Sequence, residues 1–165
     1  MMAKIFYTRA QRIKRARKAL FTRRYDGTTQ AISNDINRMI MGGLQRKETQ
    51  SATASRIADK HPNVDYTQAR RIVRNETHSV QSVMREIQFH ESDPIGSAKY
   101  VWQTTPDKRR TPICKKIAER TKKGVTLDQL RAIISEEADV KTYDPIKKPW
   151  TPHIGCRSLA RRIFT

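Results

Sequence analysis

The sequence predicts an α+β protein with a mostly helical N-terminal half and a small C-terminal module of strands and loops. Apolar residues recur at helical spacing between positions 30 and 90. After Pro94 this period gives way to a short β-like run, Tyr100-Val101-Trp102, and to a series of proline breakers. A length of 165 residues suits one domain with an appendage or two very small domains.

Basic residues dominate the charge. The chain has 34 Lys and Arg against 16 Asp and Glu, a formal net charge of +18. Such a charge indicates polyanionic partners, either nucleic acid or an anionic membrane surface. No apolar run approaches the roughly 20 residues that span a bilayer. Two cysteines and no secretory leader predict synthesis in a reducing cytosol and exclude a disulfide scaffold.

Residues 1–25 form the basic arm. A stripe that includes Phe6, Ile13 and Leu20 has helical spacing, and basic residues cover most of the remaining surface. One interpretation is a surface helix that docks through this stripe; another is an arm that binds nucleic acid phosphates by counterion release. A membrane-surface helix is a third. The candidate nucleic-acid-binding residues are Lys4, Arg9, Arg12, Lys14, Arg15, Arg17, Lys18, Arg23 and Arg24.

A helical segment is predicted over residues 26–64. Its first helix follows a turn at 26–28 and has apolar residues at Ile32, Ile36 and Ile40, and Gly42-Gly43 is expected to loosen or end it. A second, shorter helix is predicted over 49–60, before a break at His61-Pro62-Asn63.

The strongest helix prediction begins at Asp65, where Gln68 three residues later completes a capping-box pattern. One apolar face then continues for about five turns, to Ile87. Ser92-Asp93-Pro94 ends the helix, because the residue before proline avoids the α region.

Beyond the Tyr100 strand and the Cys114 segment, residues 115–118 are expected to be followed by a charged linker. Thr126 and Gln129 make a capping box that opens another helix. An extended loop follows and leads to Trp150, and residues 159–165 form a short basic and apolar tail.

The two cysteines lie in separate turns. Cys114 and Cys156, with His153 three residues before the second, are the sulfur and nitrogen ligands that zinc prefers. Two buried thiols and a disulfide are the other interpretations. A structural zinc site has four ligands, and the fourth candidates are His61, His78, His90 and Asp107.

The sequence offers little for catalysis, and we predict that the protein is not an enzyme. His90-Glu91 lacks the second histidine of a zinc protease, and Gly42-Gly43 lacks the Lys-Ser/Thr of a phosphate-binding loop. A thiol–imidazole pair of Cys114 and His153 has no orienting third group. His153 also stands alone, whereas a His-Asn-His nuclease needs a second histidine.

Three pieces of the chain resemble the phage Mu F-like family of minor head proteins. They are the helix at 69–77 with Arg74, Glu76 and Thr77, the segment at 102–114, and the turn at 152–158. In the family, a strand leads to Asp-x-Arg-Thr-x-x-Cys, and a Pro-x-His-x-x-Cys-Arg turn follows later. Many members have Cys-x-x-Cys in the first segment, where this chain has Thr111. The motif positions are Arg74, Glu76, Thr77, Trp102, Asp107, Arg110, Thr111, Cys114, His153, Cys156 and Arg157.

The resemblance makes residues 65–165 the family domain. It implies a virion component of a tailed phage or prophage, made in the host cytoplasm and located in the head. Its expected partners are the portal or major capsid protein, packaged DNA, and further copies of the chain. No cofactor follows from the resemblance, and zinc remains the one cofactor that the residues suggest. The alternative function is a stand-alone nucleic-acid-binding protein, for which the basic charge is the evidence.

Overall fold

The structure, a computed structural model, describes residues 25–145 and 148–164 and confirms the α+β class. These residues form two compact units, an N-terminal unit (25–84) and a C-terminal unit (85–164). The predicted nucleic-acid-binding residues of the basic arm all lie outside the described residues. The elements are α1 Gln30–Arg46, α2 Gln50–Lys60, α3 Tyr66–Ser92, β1 Lys99–Gln103, α4 Pro112–Thr121, α5 Leu127–Glu137 and β2 Leu159–Ile163.

Threonine caps the start of four helices. The side chains of Thr29, Thr49, Thr111 and Thr126 each accept a backbone N–H from the first turn of the helix that follows. Thr126 also has the reciprocal bond from its own N–H to Gln129, so the predicted capping box is confirmed. Each cap satisfies a donor that the first turn cannot pair internally.

The N-terminal unit is built on one continuous apolar cluster. Helices α1, α2 and the first part of α3 contribute their inward faces to it, as the helical periodicity predicted. Ile36, Ile57 and Val80 are all fully buried there. Burying a side chain of this size stabilises the fold by about 1.5–3 kcal/mol relative to leaving it exposed.

The Gly42-Gly43 pair does not end α1, which continues to Arg46, so that expectation was wrong. The glycine serves helix packing. A Cβ on Gly43 would lie 2.5 Å from the hydroxyl oxygen of Thr53 on α2. Only glycine permits this close approach of the two helices, and the helix ends instead at Lys47, which adopts the left-handed conformation.

The C-terminal unit contains a helix that the sequence analysis missed. Residues 112–121 form α4, where a turn and a charged linker were expected. Thr111 caps this helix and Pro112 occupies its first turn, a position that proline favours. Ile117 and Thr121 are buried, and the Thr121 hydroxyl accepts the backbone N–H of Trp102 at 3.0 Å.

The tail also proved to be regular structure. Residues 159–163 form β2, which pairs antiparallel with β1, from Lys99 opposite Ile163 to Gln103 opposite Leu159. The turn before α5 contains Gly124 at φ +79°, and a Cβ there would lie 2.7 Å from the Ile163 side chain. Glycine is therefore required both by the backbone conformation and by the packing of β2.

Candidate functional site

Two loops of the C-terminal unit meet at a junction, and family-motif residues form the contacts between them. The first loop leads from β1 to the start of α4, and the second leads from Trp150 to β2. Because Thr111 caps α4, Cys114 lies in the first turn of that helix with its side chain buried. His153 and Cys156 come from a tight turn in the second loop, in which the Cys156 N–H donates to the His153 carbonyl at 3.3 Å.

Cys114, His153 and Cys156 form what we call the Cys/His cluster. The Cys114 Sγ lies 3.7 Å from the Cys156 Sγ and 3.1 Å from the His153 Nε2. The three potential ligand atoms all lie within 4.8 Å of one another. The convergence of the two cysteine turns was expected from the sequence and is observed. Both thiols are free, which removes the disulfide interpretation for this structure.

The protonation of the cluster follows from its hydrogen bonds. Donation from the Cys156 thiol, and then from His153, holds the pKa of Cys114 well below its usual range. Cys156 is affected in the opposite sense, because its bond to Cys114 and its burial both raise its pKa. The bond to Cys114 raises the pKa of His153. These hydrogen bonds therefore favour the thiolate form of Cys114.

Asp107 and Arg157 form the second link between the loops. The Arg157 Nη2 donates to the Asp107 carboxylate at 2.7 Å, and the Arg109 N–H donates to the same carboxylate at 3.0 Å. The Arg157 contact, more than any other, lowers the pKa of Asp107 from 3.8 to about 2. The carboxylate also raises the pKa of Arg157. This pair lies beside the cluster and fixes both loops by charge-assisted hydrogen bonds.

Thr111 occupies the remaining side of the cluster. Its Oγ1 lies 3.0 Å from the His153 Nε2 and accepts the Cys114 N–H at 3.3 Å. A cavity of about 20 Å³ adjoins it, with Arg109, Arg110 and Arg157 among its lining residues. Arg110 also donates to Thr104 at 3.1 Å.

Glu86 is a residue that sequence reasoning missed. Its side chain is 11% exposed and accepts the indole N–H of Trp150 at 2.8 Å and the guanidinium of Arg131 at 3.0 Å. Trp150 begins the second loop, so Glu86 anchors that loop to α3 and α5. The signal available in the sequence was a charged residue directly before Ile87, which belongs to the apolar face of the predicted helix.

The other predicted residues lie elsewhere. Arg74 is exposed, whereas Glu76 and Thr77 are buried, and all three belong to the N-terminal unit. Trp102 is 3% exposed on β1, where its side chain helps to lower the pKa of Cys114. The Cys/His cluster is the one group of three or more potential metal ligands among the described residues, so the fourth-ligand candidates are not part of it.

The fold is that of a small α+β protein in which motif residues join two loops of the C-terminal unit. The family model described as "Phage Mu protein F like protein" matches residues 30–157, and the chain belongs to that family. Its members are phage head morphogenesis proteins. No curated protein and no solved structure matches the chain significantly. Among the described residues, no helix has both the length and the apolar character required to cross a membrane.

Proposed function

We propose that this chain is a structural minor head protein that connects the portal or capsid shell of a tailed phage to the packaged DNA. The observation that supports this most is the family match, which covers both compact units. The motif residues of the C-terminal unit form contacts between its own loops, as expected for residues that maintain a fold. Copies of the chain would assemble in the virion, with portal or capsid protein as the partner.

Charge supports the DNA part of the proposal. The net charge of +18 is far above what a protein needs for solubility. Within the described residues, Arg70, Arg71 and Arg74 are exposed near the start of α3, and none of them forms an ion pair there. In contrast, Arg120 in the C-terminal unit pairs with Glu136 and Glu137. Unpaired arginines on one helix face suit a phosphate backbone.

A stand-alone nucleic-acid-binding protein is the second candidate, and the same charge favours it. The two candidates differ in one respect. A head protein requires a virion partner, whereas a stand-alone binder does not.

Mass spectrometry of purified virions tests the head assignment. We expect the chain in the particle at low copy number relative to the major capsid protein, and coexpression with portal and capsid proteins should yield a complex on affinity purification. Absence from the virion together with tight binding to DNA would refute the head assignment and establish the second candidate.

The salt dependence of duplex DNA binding tests the charge argument. Removing residues 1–24 should lower the affinity at least about tenfold at low salt and flatten the slope of log K against log salt. Replacing the three α3 arginines by alanine should reduce the magnitude of that slope by about 2–3. The matched control removes three exposed lysines of the C-terminal unit, Lys108, Lys115 and Lys123. Equal slopes for the arginine and lysine variants would show that α3 makes no specific contribution.

A further inference from the structure

We propose that the Cys/His cluster binds one zinc ion through the Sγ atoms of Cys114 and Cys156 and the Nε2 of His153, with a water molecule as the fourth ligand. Family membership assigns no metal to this chain, and the inference is independent of the head assignment. It depends on four features of the cluster: its spacing, the tautomer of His153, the adjoining cavity and the net charge of the ligand set.

The spacing of the two sulfur atoms matches zinc. With Zn–S bonds of about 2.3 Å and tetrahedral angles, two thiolates on one zinc lie about 3.8 Å apart. The Cys114 and Cys156 Sγ atoms are 3.7 Å apart, too far for a disulfide and close to the metal-bound distance. A thiolate and an imidazole nitrogen on one zinc lie about 3.5 Å apart. The Cys114 Sγ to His153 Nε2 distance is 3.1 Å, and all three ligand atoms lie within 4.8 Å of one another.

The orientation of His153 also favours metal binding. Its Nδ1 lies 3.0 Å from the Ile154 carbonyl oxygen. A carbonyl oxygen can only accept, so Nδ1 carries a proton. The second ring nitrogen, Nε2, faces Cys114 and is the ligand atom of the neutral ring. A backbone carbonyl that fixes the ring through the other nitrogen is the usual partner of a zinc-bound histidine.

Thr111 determines the fourth position. Its hydroxyl is a poor zinc ligand when neutral, but it lies beside His153 Nε2 and faces the adjoining cavity. A volume of about 20 Å³ is enough for one water molecule, which needs roughly 10–15 Å³. A water there can bind the metal and hydrogen-bond to Thr111. The site thus has three protein ligands and one exchangeable ligand.

The ligand set suits a buried site. Zinc with two thiolates and a neutral imidazole has no net charge, so burial of the site adds little electrostatic cost.

Metal analysis of the full-length protein, purified under reducing conditions, is the first test. We expect one equivalent of zinc per chain, and affinity for added zinc should fall by about tenfold or more in Cys156→Ser and in His153→Ala. The control is His90→Ala, which replaces an exposed histidine of α3 and should leave the zinc content unchanged. Zinc content below stoichiometry that is insensitive to the cluster substitutions would overturn the proposal.

Cobalt substitution tests the fourth ligand and uses folded protein throughout. The wild-type cobalt form should show the visible spectrum of a tetrahedral S₂N site, and added azide should shift it by replacing the water. In Thr111→Cys a third thiolate fills that position, so we expect zinc affinity about tenfold higher or more and no response to azide. Thr111→Ser keeps the hydroxyl and should behave as the wild type. A wild-type cobalt spectrum that lacks thiolate bands, or that ignores azide, would contradict the proposed coordination.

Discussion

Both units of this protein bury apolar side chains, but they differ in how their distant segments are linked. In the N-terminal unit, three helices share one cluster of apolar side chains. In the C-terminal unit, specific polar links join elements that are distant in sequence: Glu86 with Trp150, Asp107 with Arg157, and the Cys/His cluster. An apolar cluster requires mainly that its side chains have the right total volume and hydrophobic pattern, whereas each polar link requires two particular residues. We therefore expect substitutions at these linked positions to be tolerated less well than conservative apolar substitutions in the N-terminal cluster.

The chain provides its own means of observing the units separately. Both tryptophans, Trp102 and Trp150, are buried in the C-terminal unit. Tryptophan fluorescence therefore reports unfolding of that unit, whereas far-UV circular dichroism reports all of the helices.

Ile57→Ala should have the largest effect. Ile57 is fully buried in the apolar cluster, and truncating it removes hydrophobic contacts and leaves a cavity. We expect a loss of about 2–5 kcal/mol from the free energy of unfolding, visible in the circular dichroism transition. The matched control is Ile95→Ala, at a position 91% exposed, which should change stability by less than about 0.5 kcal/mol. Similar losses for the two variants would contradict the difference between core and surface.

Trp150→Phe tests the main polar link of the C-terminal unit. The substitution keeps most of the ring but removes the N–H that Glu86 accepts at 2.8 Å. A buried carboxylate oxygen then loses its partner, which should cost about 1–3 kcal/mol. Fluorescence from Trp102 measures the transition. In a Glu86→Leu background the same substitution should cost much less, and equal costs would show that the bond is not the cause.

Thr126→Ala and Thr49→Ala compare helix caps in the two units. Each should cost about 0.5–2 kcal/mol, because a first-turn N–H loses its acceptor. Thr126 belongs to a reciprocal capping box and Thr49 does not, so the C-terminal variant should lose more stability. A larger loss of stability for Thr49→Ala would show that the single cap of α2 contributes more stability than the capping box of α5.

The smallest effect should come from acid titration of Asp107. Its pKa is about 2 in the folded protein and 3.8 ordinarily, so the carboxylate stabilises the fold above pH 3.8. That contribution is lost as the pH falls from about 4 towards 2. The unfolding midpoint, measured by tryptophan fluorescence, should decrease over this pH range. The decrease should be smaller in Asp107→Asn. Identical pH profiles would show that the Arg157 pair contributes nothing measurable.

Local signals predicted much of the N-terminal unit. The apolar stripe of α1 and the cap at Asp65 are properties of neighbouring residues, and both are present in the structure. Tertiary contacts altered two details. Gly43 permits close packing of α1 on α2 instead of ending the helix. The Gln68 side chain bonds to the Asp26 carbonyl at 2.7 Å instead of completing its capping box.

The C-terminal unit was harder to predict because its elements depend on distant partners. Residues 159–163, Leu-Ala-Arg-Arg-Ile, do not alternate between apolar and polar, so β2 is defined by its pairing with β1. Helix α4 did have a local signal, Thr111 followed by Pro112, but its apolar face is short. The residues of the Cys/His cluster were predicted from their ligand chemistry, but their distances depend on the folding of two separate loops against each other.

The pairing of β1 with β2 also sets an order of events during synthesis. All contacts of the apolar cluster lie between residues 25 and 84, so the N-terminal unit can fold while the rest of the chain is still being made. Lys99 can pair only after Ile163 has been synthesised, and contacts between such distant residues form slowly. Until then β1 lacks its partner strand β2, and Cys114 lacks its contacts with the second loop. A chain at that stage has a folded N-terminal unit and an incomplete C-terminal unit.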